Sequence, residues 1–224
     1  MADVTVVIPV HNGATHLAAA IDSALTQSVK PASIIVVDDG STDPTAHVAA
    51  QFGSRIRYLR QDQAGAAAAR NAGVSRTRTE CVAFLDADDL WAPFKLELQL
   101  SLLRDAPAMI FGHAVQFASA ELSPEEAAAL KFDARPMPAI AASALLMRKR
   151  DFIAVGPFDE RLATGEFIDW YARARDHRLA SIVPPEIVVR RRLHRDNHGR
   201  RRIDARPDYA RALKNVLDRR RKTG

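Results

Sequence analysis

Cysteine is almost absent from this sequence of 224 residues, which contains only Cys81. A single thiol excludes a disulfide within the chain, so the fold must depend on a hydrophobic core. Cys81 begins the apolar segment 81–85 (CVAFL), where we expect a buried and unreactive thiol. Such sparing use of cysteine is typical of a reducing compartment, and we therefore expect a cytoplasmic protein.

Long apolar runs are also missing from the sequence. The longest strongly apolar stretch, residues 139–147, has about half of the roughly 20 residues that a membrane-spanning helix needs. The first apolar segment follows an acidic residue, Asp3, and is interrupted by Pro9, so we expect no secretory signal peptide. The sequence therefore predicts a protein without a membrane span.

Closely spaced glycines and aromatic residues are scarce. Residues 9–13 (PVHNG) follow the first apolar segment and are not a glycine-rich phosphate loop, which disfavours a dinucleotide oxidoreductase or a sugar-phosphate nucleotidyltransferase. Aromatic residues make up 6% of the chain, and no nucleic-acid-binding module is recognisable. We therefore expect no stable complex with nucleic acid.

Positive charge is in excess, with a formal net charge of +5, and it is concentrated near the C terminus. Seven of the thirteen residues 190–202 are arginine, and residues 219–222 (RRRK) form a second basic cluster. These clusters favour an anionic partner, which could be a phosphate group, an acidic membrane surface or nucleic acid. A solvated basic surface is the alternative. Peripheral contact with the inner face of a membrane through the basic C terminus stays open.

Short apolar segments alternate with longer helical ones along the first hundred residues. Strands are predicted over residues 4–10, 33–37, 56–59 and 81–85, and helices over residues 13–26, 44–52, 64–74 and 93–104. This alternation predicts an α/β fold, a mainly parallel sheet flanked by helices, in a single domain over residues 1–224. The later predictions are a strand over 109–117, helices over 124–130, 165–177 and 207–221, an extended segment over 182–189, and a strand or helix over 139–147.

Acidic residues follow two of the predicted strands. Ligands of parallel sheets bind at the carboxyl ends of the strands, where this sequence has Asp38 and Asp39, and then Asp86, Asp88 and Asp89. Carboxylates gathered at a buried strand end are costly unless a cation such as Mn²⁺ or Mg²⁺ neutralises them. Capping of the next helix is the alternative for Asp88 or Asp89. Asp39 could accept hydrogen bonds from a ribose or a base.

The order of the motifs resembles that of the family 2 glycosyltransferases, which have the A-type nucleotide-sugar fold (GT-A). The motifs are residues 7–12 (VIPVHN), 36–43 (VVDDGSTD), 63–65 (QAG) with 69–73 (ARNAG), and 84–89 (FLDADD). A looser resemblance continues from residues 156–160 (GPFDE) to His194. It implies a nucleotide-binding half over residues 1–105 and an acceptor and catalytic half over residues 106–205, followed by a basic C-terminal helix over residues 206–224.

The resemblance also implies a binding site for a nucleotide-sugar. Asp86 would face the ribose, and Asp88 would hold the metal ion beside the donor diphosphate. Asp39 would contact the base and Arg70 would help to bind the nucleotide, although a surface ion pair is the alternative for Arg70. The nucleotide-sugar site implied in this way comprises Pro9, Val10, Asn12, Asp39, Arg70, Asp86, Ala87 and Asp88.

The catalytic base is harder to assign, because the sequence departs from the family pattern. The family places a Glu-Asp pair at the start of a helix, whereas residues 165–170 (GEFIDW) have Phe167 in the second position of the pair. Glu166 occupies the first position, and Asp169 lies three residues later on the same helix face. Either carboxylate could take the proton of an acceptor hydroxyl. Acidic residues favoured by the helix dipole are the alternative explanation.

A late segment, residues 192–197 (RLHRDN), resembles the family's Arg-x-His-x-x-Asn motif. It implies that His194 is a second metal ligand or a phosphate contact, with Asn197 holding the loop, and His198 is the competing candidate for the metal. An ordinary solvated loop histidine is the alternative.

The function that the sequence predicts is metal-dependent, inverting transfer of a sugar from a nucleotide-diphosphate sugar to an acceptor hydroxyl. A UDP-sugar is the default donor, and the acceptor, which could be a glycan, a lipid-linked molecule or a peptide, stays open, as does a homo-oligomeric state. The alternatives are a non-catalytic relative that only binds sugar nucleotides and, less favoured, a nucleic-acid-binding protein that uses the arginine-rich segment.

Overall fold

The computed structural model describes residues 2–103, 106–130 and 134–194. The strands are β1 (Ala2–Val10), β2 (Pro31–Asp39), β3 (Arg57–Gln61), β4 (Cys81–Phe84), β5 (Leu90–Trp91), β6 (Ala108–Ile110), β7 (His113–Ala118), β8 (Met137–Pro138), β9 (Leu146–Arg148), β10 (Ala180–Ile182) and β11 (Ile187–Leu193). The helices are α1 (Leu17–Leu25), α2 (Thr45–Ala50), α3 (Ala66–Arg76), α4 (Lys95–Leu102), α5 (Pro124–Ala129), α6 (Lys149–Val155) and α7 (Glu166–Asp176).

Two sheets organise these strands. The larger sheet has seven strands in the order β10-β6-β9-β4-β1-β2-β3, and the smaller has four in the order β5-β11-β7-β8. In the larger sheet β1 is parallel to both β2 and β4, and β2 is parallel to β3, whereas β9 runs antiparallel to β4 and β6. The predicted α/β fold with a mainly parallel sheet is therefore confirmed.

The central strand β1 is buried on both of its faces. Every residue from Val4 to Val10 is buried, as expected for a parallel strand inside a layered α/β fold. Helix α3 packs so closely against β1 that a Cβ atom on Gly73 would lie 2.3 Å from Cγ1 of Val7. Only glycine permits this approach, which sets the position of Arg70 one turn earlier on the same helix.

The second half departs from several predicted boundaries. The predicted strand over 109–117 is two strands, β6 and β7, which belong to different sheets. They separate at Gly112, where a Cβ atom would lie 2.6 Å from Cγ2 of Val188, so the chain crosses between the sheets in close contact with β11. The apolar stretch 139–147 forms a 3-10 turn at Ala142–Ala144 followed by β9. Helix α6 was not predicted.

The predicted helices over 124–130 and 165–177 are confirmed as α5 and α7. The predicted extended segment over 182–189 is divided between the end of β10 and the start of β11. The predicted helix over 207–221 lies outside the described residues, and the division of the chain into halves near residue 105 stays a prediction. Within the described ranges, no helix combines the length and apolar character needed to cross a bilayer.

Candidate active site

The carboxyl ends of β1, β2 and β4 lie side by side at one edge of the larger sheet, because these strands are adjacent and parallel. Residues 86–89 follow β4 as a turn, in which the Asp89 amide donates a hydrogen bond of 3.0 Å to the Asp86 carbonyl. The chain then enters β5, which pairs with β11 of the smaller sheet. The acidic turn is therefore held between the two sheets.

Asp39 is buried at the end of β2 and organises the loop that precedes α3. Its Oδ1 accepts hydrogen bonds of 2.8 Å from Nε2 of Gln61 and from the Ala64 amide, and its Oδ2 accepts one of 2.7 Å from the Gly65 amide. His11 donates from Nδ1 to the Asp39 carbonyl over 2.7 Å when that nitrogen carries the proton. The predicted base contact therefore lies at the sheet edge, with its carboxylate already engaged by the loop.

The neighbouring Asp38 has a structural role. Its carboxylate accepts hydrogen bonds from the Ser41 amide over 2.7 Å, from Arg60 over 2.9 Å and from the Tyr58 hydroxyl. Burial acts to raise the pKa of this carboxyl group, but the hydrogen bonds from Ser41 and Tyr58 outweigh it, and the pKa lies below its ordinary value. Asp38 thus connects β2 to β3.

The loop after β1 uses its polar groups to hold the loop after β2. Pro9 and Val10 are buried final residues of β1. Asn12 has a positive φ of 51°, and its amide donates to Oγ of Ser41 over 2.8 Å. Its Oδ1 accepts hydrogen bonds from the Thr42 amide at 2.7 Å. The structure therefore places Asn12 at the site edge, where its side chain fixes the adjacent loop.

Arg70 connects the acidic turn to the start of α7. One guanidinium nitrogen lies 2.8 Å from Oδ1 of Asp86, and another lies 2.6 Å from Oε1 of Glu166. Although burial opposes the charged form, the carboxylates of Asp86 and Glu166 raise the pKa of Arg70 above its ordinary value. The exposed ion pair considered for this arginine is therefore wrong, because Arg70 is buried and binds two of the predicted site residues.

Asp88 and His194 meet at the other side of the acidic turn, with Oδ2 of Asp88 lying 3.0 Å from Nε2 of His194. Burial acts to raise the pKa of the Asp88 carboxyl group, but the hydrogen bond with His194 outweighs it, and the pKa lies below its ordinary value. The two residues predicted as metal ligands are thus adjacent. Ala87 lies between Asp86 and Asp88, while Asn197 and His198 lie outside the described residues.

Asp89 holds the turn against the smaller sheet. Its Oδ1 accepts a hydrogen bond of 3.0 Å from the backbone amide of Arg192 on β11. Burial and the charges of Asp88 and Asp86 raise the pKa of the Asp89 carboxyl group well above its ordinary value. Helix capping is not the role of Asp88 or Asp89, because α4 begins after Phe94 and has no side-chain cap.

The two candidate bases face different surroundings. Glu166 begins α7, and its side chain is 13% exposed and reaches Arg70 in the site. The side chain of Asp169 is 3% exposed and lies 3.0 Å from Nε of Arg173, one turn later on α7. Arg173 also donates to the Val155 carbonyl at the end of α6. Glu166 therefore belongs to the site, whereas Asp169 attaches α7 to α6.

Phe167 takes part in hydrophobic packing. Its ring lies 6.3 Å from that of Phe111 and 6.2 Å from those of Trp170 and Tyr171, measured between ring centroids. The position that carries an acid in the family pattern is therefore part of an aromatic cluster formed by residues of α7 and Phe111.

Sequence reasoning missed two polar residues beside His194. Nε2 of His16, just before α1, lies 3.3 Å from Oε1 of Glu121, and the rings of His16 and His194 are 4.8 Å apart between centroids. One donor atom from each of His16, Glu121 and His194 lies within 4.8 Å of the others. His16, Glu121 and His194 are far apart along the chain and share no motif. Nothing in the sequence therefore indicated that they meet.

Comparison with known proteins matches this chain to the glycosyl transferase family 2 model over residues 5–137. An uncharacterised glycosyltransferase of Rickettsia conorii is 32% identical over 214 residues, which cover 85% of this chain and 34% of the relative. A UDP-Glc:α-D-GlcNAc-diphosphoundecaprenol β-1,3-glucosyltransferase of Escherichia coli is 37% identical over 102 residues, 45% of this chain and 40% of that enzyme. The chain thus spans well under two thirds of either relative.

The fold also matches solved structures. The crystal structure of S. aureus TarS 1–349 in complex with UDP-GlcNAc superimposes with a TM-score of 0.75 at 14% identity, over 96% of this chain and 65% of that one. The corresponding complex with UDP superimposes with a TM-score of 0.72, also at 14% identity, over 96% of this chain and 64% of that one. At this identity the likeness concerns the fold, which is the A-type nucleotide-sugar fold.

Proposed function

Because the chain belongs to glycosyl transferase family 2, we propose that it transfers a sugar from a nucleotide-diphosphate sugar to an acceptor hydroxyl, with inversion at the anomeric carbon. The observation that carries this proposal is the Arg70 bridge, which joins Asp86 on the donor side to Glu166 on the acceptor side. One buried guanidinium thus connects the two carboxylates on which donor binding and proton removal would depend.

A UDP-sugar is the proposed donor. The TarS structures with UDP or UDP-GlcNAc share the fold, and the name of the Escherichia coli relative specifies UDP-Glc. In this chain the loop that Asp39 organises, between β3 and α3, is the proposed place for the base, and Asp86 lies at the proposed place for the ribose. The acceptor and the sugar itself are not specified by these residues.

A divalent cation, Mn²⁺ or Mg²⁺, is the proposed cofactor, and the residues present fit it. Asp88 offers a carboxylate that its lowered pKa keeps ionised, and His194 offers an imidazole nitrogen 3.0 Å away. When bound, the cation would offset negative charge on the departing diphosphate. Asp89 supports this arrangement indirectly, because its bond to the Arg192 amide holds the acidic turn near β11.

Glu166 is the proposed catalytic base. Its Oε1 binds Arg70, while its Oε2 makes no hydrogen bond within the described part of the chain and is the oxygen that we propose accepts the proton. As this oxygen takes the proton of the acceptor hydroxyl, the hydroxyl oxygen bonds to the anomeric carbon and the bond from that carbon to the diphosphate breaks. Asp169 is the less favoured candidate, because its side chain is only 3% exposed and lies 3.0 Å from Nε of Arg173.

Thermal unfolding with UDP and Mn²⁺ tests the donor site. Ligand at about 100 times its dissociation constant adds about 2.7 kcal/mol, which raises the Tm of a chain of this size by about 5–10 °C. We expect Asp88→Ala to lose the part of this shift that requires Mn²⁺, while Asp22→Ala, a change of an exposed acid on α1, keeps it. Full metal-dependent stabilisation of Asp88→Ala would contradict the assignment of the cation site.

Transfer and hydrolysis of UDP-sugars by the same variants test the base. We expect Glu166→Gln to reduce turnover at least a hundredfold while it keeps the stabilisation by UDP and Mn²⁺, since general base catalysis contributes about 10²–10⁴-fold. Asp169→Asn should mainly lower Tm.

A non-catalytic sugar-nucleotide-binding protein is the second candidate, favoured by Phe167 in the place of the family's acid. It predicts stabilisation by UDP without turnover of any UDP-sugar, with or without Glu166.

A further inference from the structure

Four metal-ligating side chains converge where the loop before α1 meets the end of β11. Nε2 of His16 lies 3.3 Å from Oε1 of Glu121, and Nε2 of His194 lies 3.0 Å from Oδ2 of Asp88. Neighbouring ligands around a metal ion with bonds of about 2.1 Å are separated by about 3.0 Å. Each of these two pairs has the spacing of neighbouring ligands, and donor atoms of His16, Glu121 and His194 all lie within 4.8 Å of one another.

The fold holds these side chains in place. His16 is fixed through its backbone, whose amide donates 3.1 Å to the Gly13 carbonyl, and its side chain is 11% exposed. Glu121 is 40% exposed, and its carboxylate accepts a hydrogen bond from the Ser119 hydroxyl. Because His16 and Glu121 come from separate loops, no local turn or helix accounts for their meeting beside His194.

We propose that His16 and Glu121 are further ligands of the cation that Asp88 and His194 would hold, and that the two imidazoles make the site prefer Mn²⁺ or another first-row transition-metal ion over Mg²⁺. Imidazole nitrogen suits transition-metal ions, whereas Mg²⁺ favours oxygen ligands and retains its water. The cation would thereby be held by two carboxylates and two imidazoles, and it would offset negative charge on a diphosphate. The proposal rests on the proposed function for that diphosphate.

Titration of the full chain with Mn²⁺, followed by the electron paramagnetic resonance signal of the free ion, tests this proposal. Titrations with and without UDP are compared for the wild type, His16→Gln and Glu121→Gln. The matched controls are His47→Gln and Glu125→Gln, which alter an exposed histidine and an exposed glutamate elsewhere. We expect each test variant to bind Mn²⁺ at least about tenfold more weakly, and the controls to bind as the wild type does.

Competition with Mg²⁺ measures the selectivity in the same samples. We expect His16→Gln to lose most of the preference for Mn²⁺, because one nitrogen ligand is replaced by an amide. Mn²⁺ affinity and Mg²⁺ competition equal to the wild type in His16→Gln, with and without UDP, would overturn the proposal. His16 and Glu121 would then be a hydrogen-bonded pair of the fold.

Pulsed electron paramagnetic resonance of the wild-type Mn²⁺ complex provides a measurement that needs no variant. Coordinated imidazole gives ¹⁴N couplings, and we expect couplings from both His16 and His194. Coupling to a single nitrogen would overturn the proposal even if His16→Gln did not fold. The proposed function has a separate outcome, because transfer from UDP-sugars with unchanged Mn²⁺ binding in His16→Gln would contradict only the present inference.

Discussion

Replacement of Arg70 by methionine removes the charge that lies between Asp86 and Glu166. The methionine side chain fills most of the same space, but the two carboxylates lose their hydrogen-bond donors and repel each other. Arg70 also lies against the ring of Phe158, with its guanidinium carbon 5.9 Å from the ring centroid, so a hydrophobic replacement keeps this packing. The variant therefore tests the charge of Arg70 more than its volume.

The expected loss follows from the burial of the three groups. Removal of one partner from a fully buried ion pair costs about 3–5 kcal/mol. Here Arg70 is buried, whereas the side chains of Asp86 and Glu166 are 35% and 13% exposed, so water screens part of the uncompensated charge. We expect Arg70→Met to lower the free energy of unfolding by about 2–4 kcal/mol, which lowers Tm by about 5–12 °C.

Neutralising the carboxylates should restore much of the loss. We expect Arg70→Met combined with Asp86→Asn and Glu166→Gln to be more stable than Arg70→Met alone by about 1–2 kcal/mol, because the repulsion is then absent. Urea unfolding followed by tryptophan fluorescence measures these differences. Arg76→Met, an exposed arginine at the end of the same helix, is the control and should change stability by less than about 0.5 kcal/mol.

Two results would refute this reasoning. A stability of Arg70→Met within about 0.5 kcal/mol of the wild type would mean that the bridge contributes nothing. A triple variant no more stable than Arg70→Met would mean that packing, and not the charge of the carboxylates, determines the loss.

Two further predictions concern the larger sheet. Gly73→Ala should destabilise by about 1–2 kcal/mol, because overpacking against Val7 exceeds the helix propensity gained. Urea unfolding should show that Gly73→Ala costs less in a Val7→Ala background than in the wild type; equal stability of Gly73→Ala and the wild type would contradict the close approach. Burial raises the pKa of the Cys81 thiol to about 11, so only about one thiol in a thousand is ionised at pH 8, and mass spectrometry should detect alkylation by iodoacetamide only after unfolding. Rapid labelling of the folded protein would count against this burial.

The strands and helices of the first hundred residues could be predicted from the sequence, because each is a short segment with a strong apolar or amphipathic pattern. Apolar segments such as that before Pro9 and that after Glu80 predicted buried strands, and the acids of residues 86–89 directly after a strand predicted a polar sheet edge. The spacing of Asp169 and Arg173, four residues apart on one helix, would also have predicted their ion pair. For Asp169, the four-residue spacing to Arg173 therefore predicts an ion pair on the helix, which the family pattern does not indicate.

The remaining features depend on contacts between distant parts of the chain. The segment 109–117 (MIFGHAVQF) has a β-rich composition throughout, and nothing in it shows that the chain leaves one sheet for the other at Gly112. His16 and Glu121 are 105 positions apart, and they meet only because the two sheets bring their loops together. Sequence patterns describe such pairs poorly, because neither residue has a neighbour in sequence that signals the contact.

The placement of the acidic turn between the sheets has a consequence for how the chain can be divided. β5 forms its ladder with β11 through Trp91 and Val189, and the carboxylate of Asp89 is bonded to the Arg192 backbone. The geometry of the acidic turn 86–89 thus depends on a strand that comes about a hundred residues later. A shortened protein that ends before Ile187 would keep every motif of the first hundred residues and still lose the strand that supports Asp88. The acidic turn and β11 therefore have to fold together.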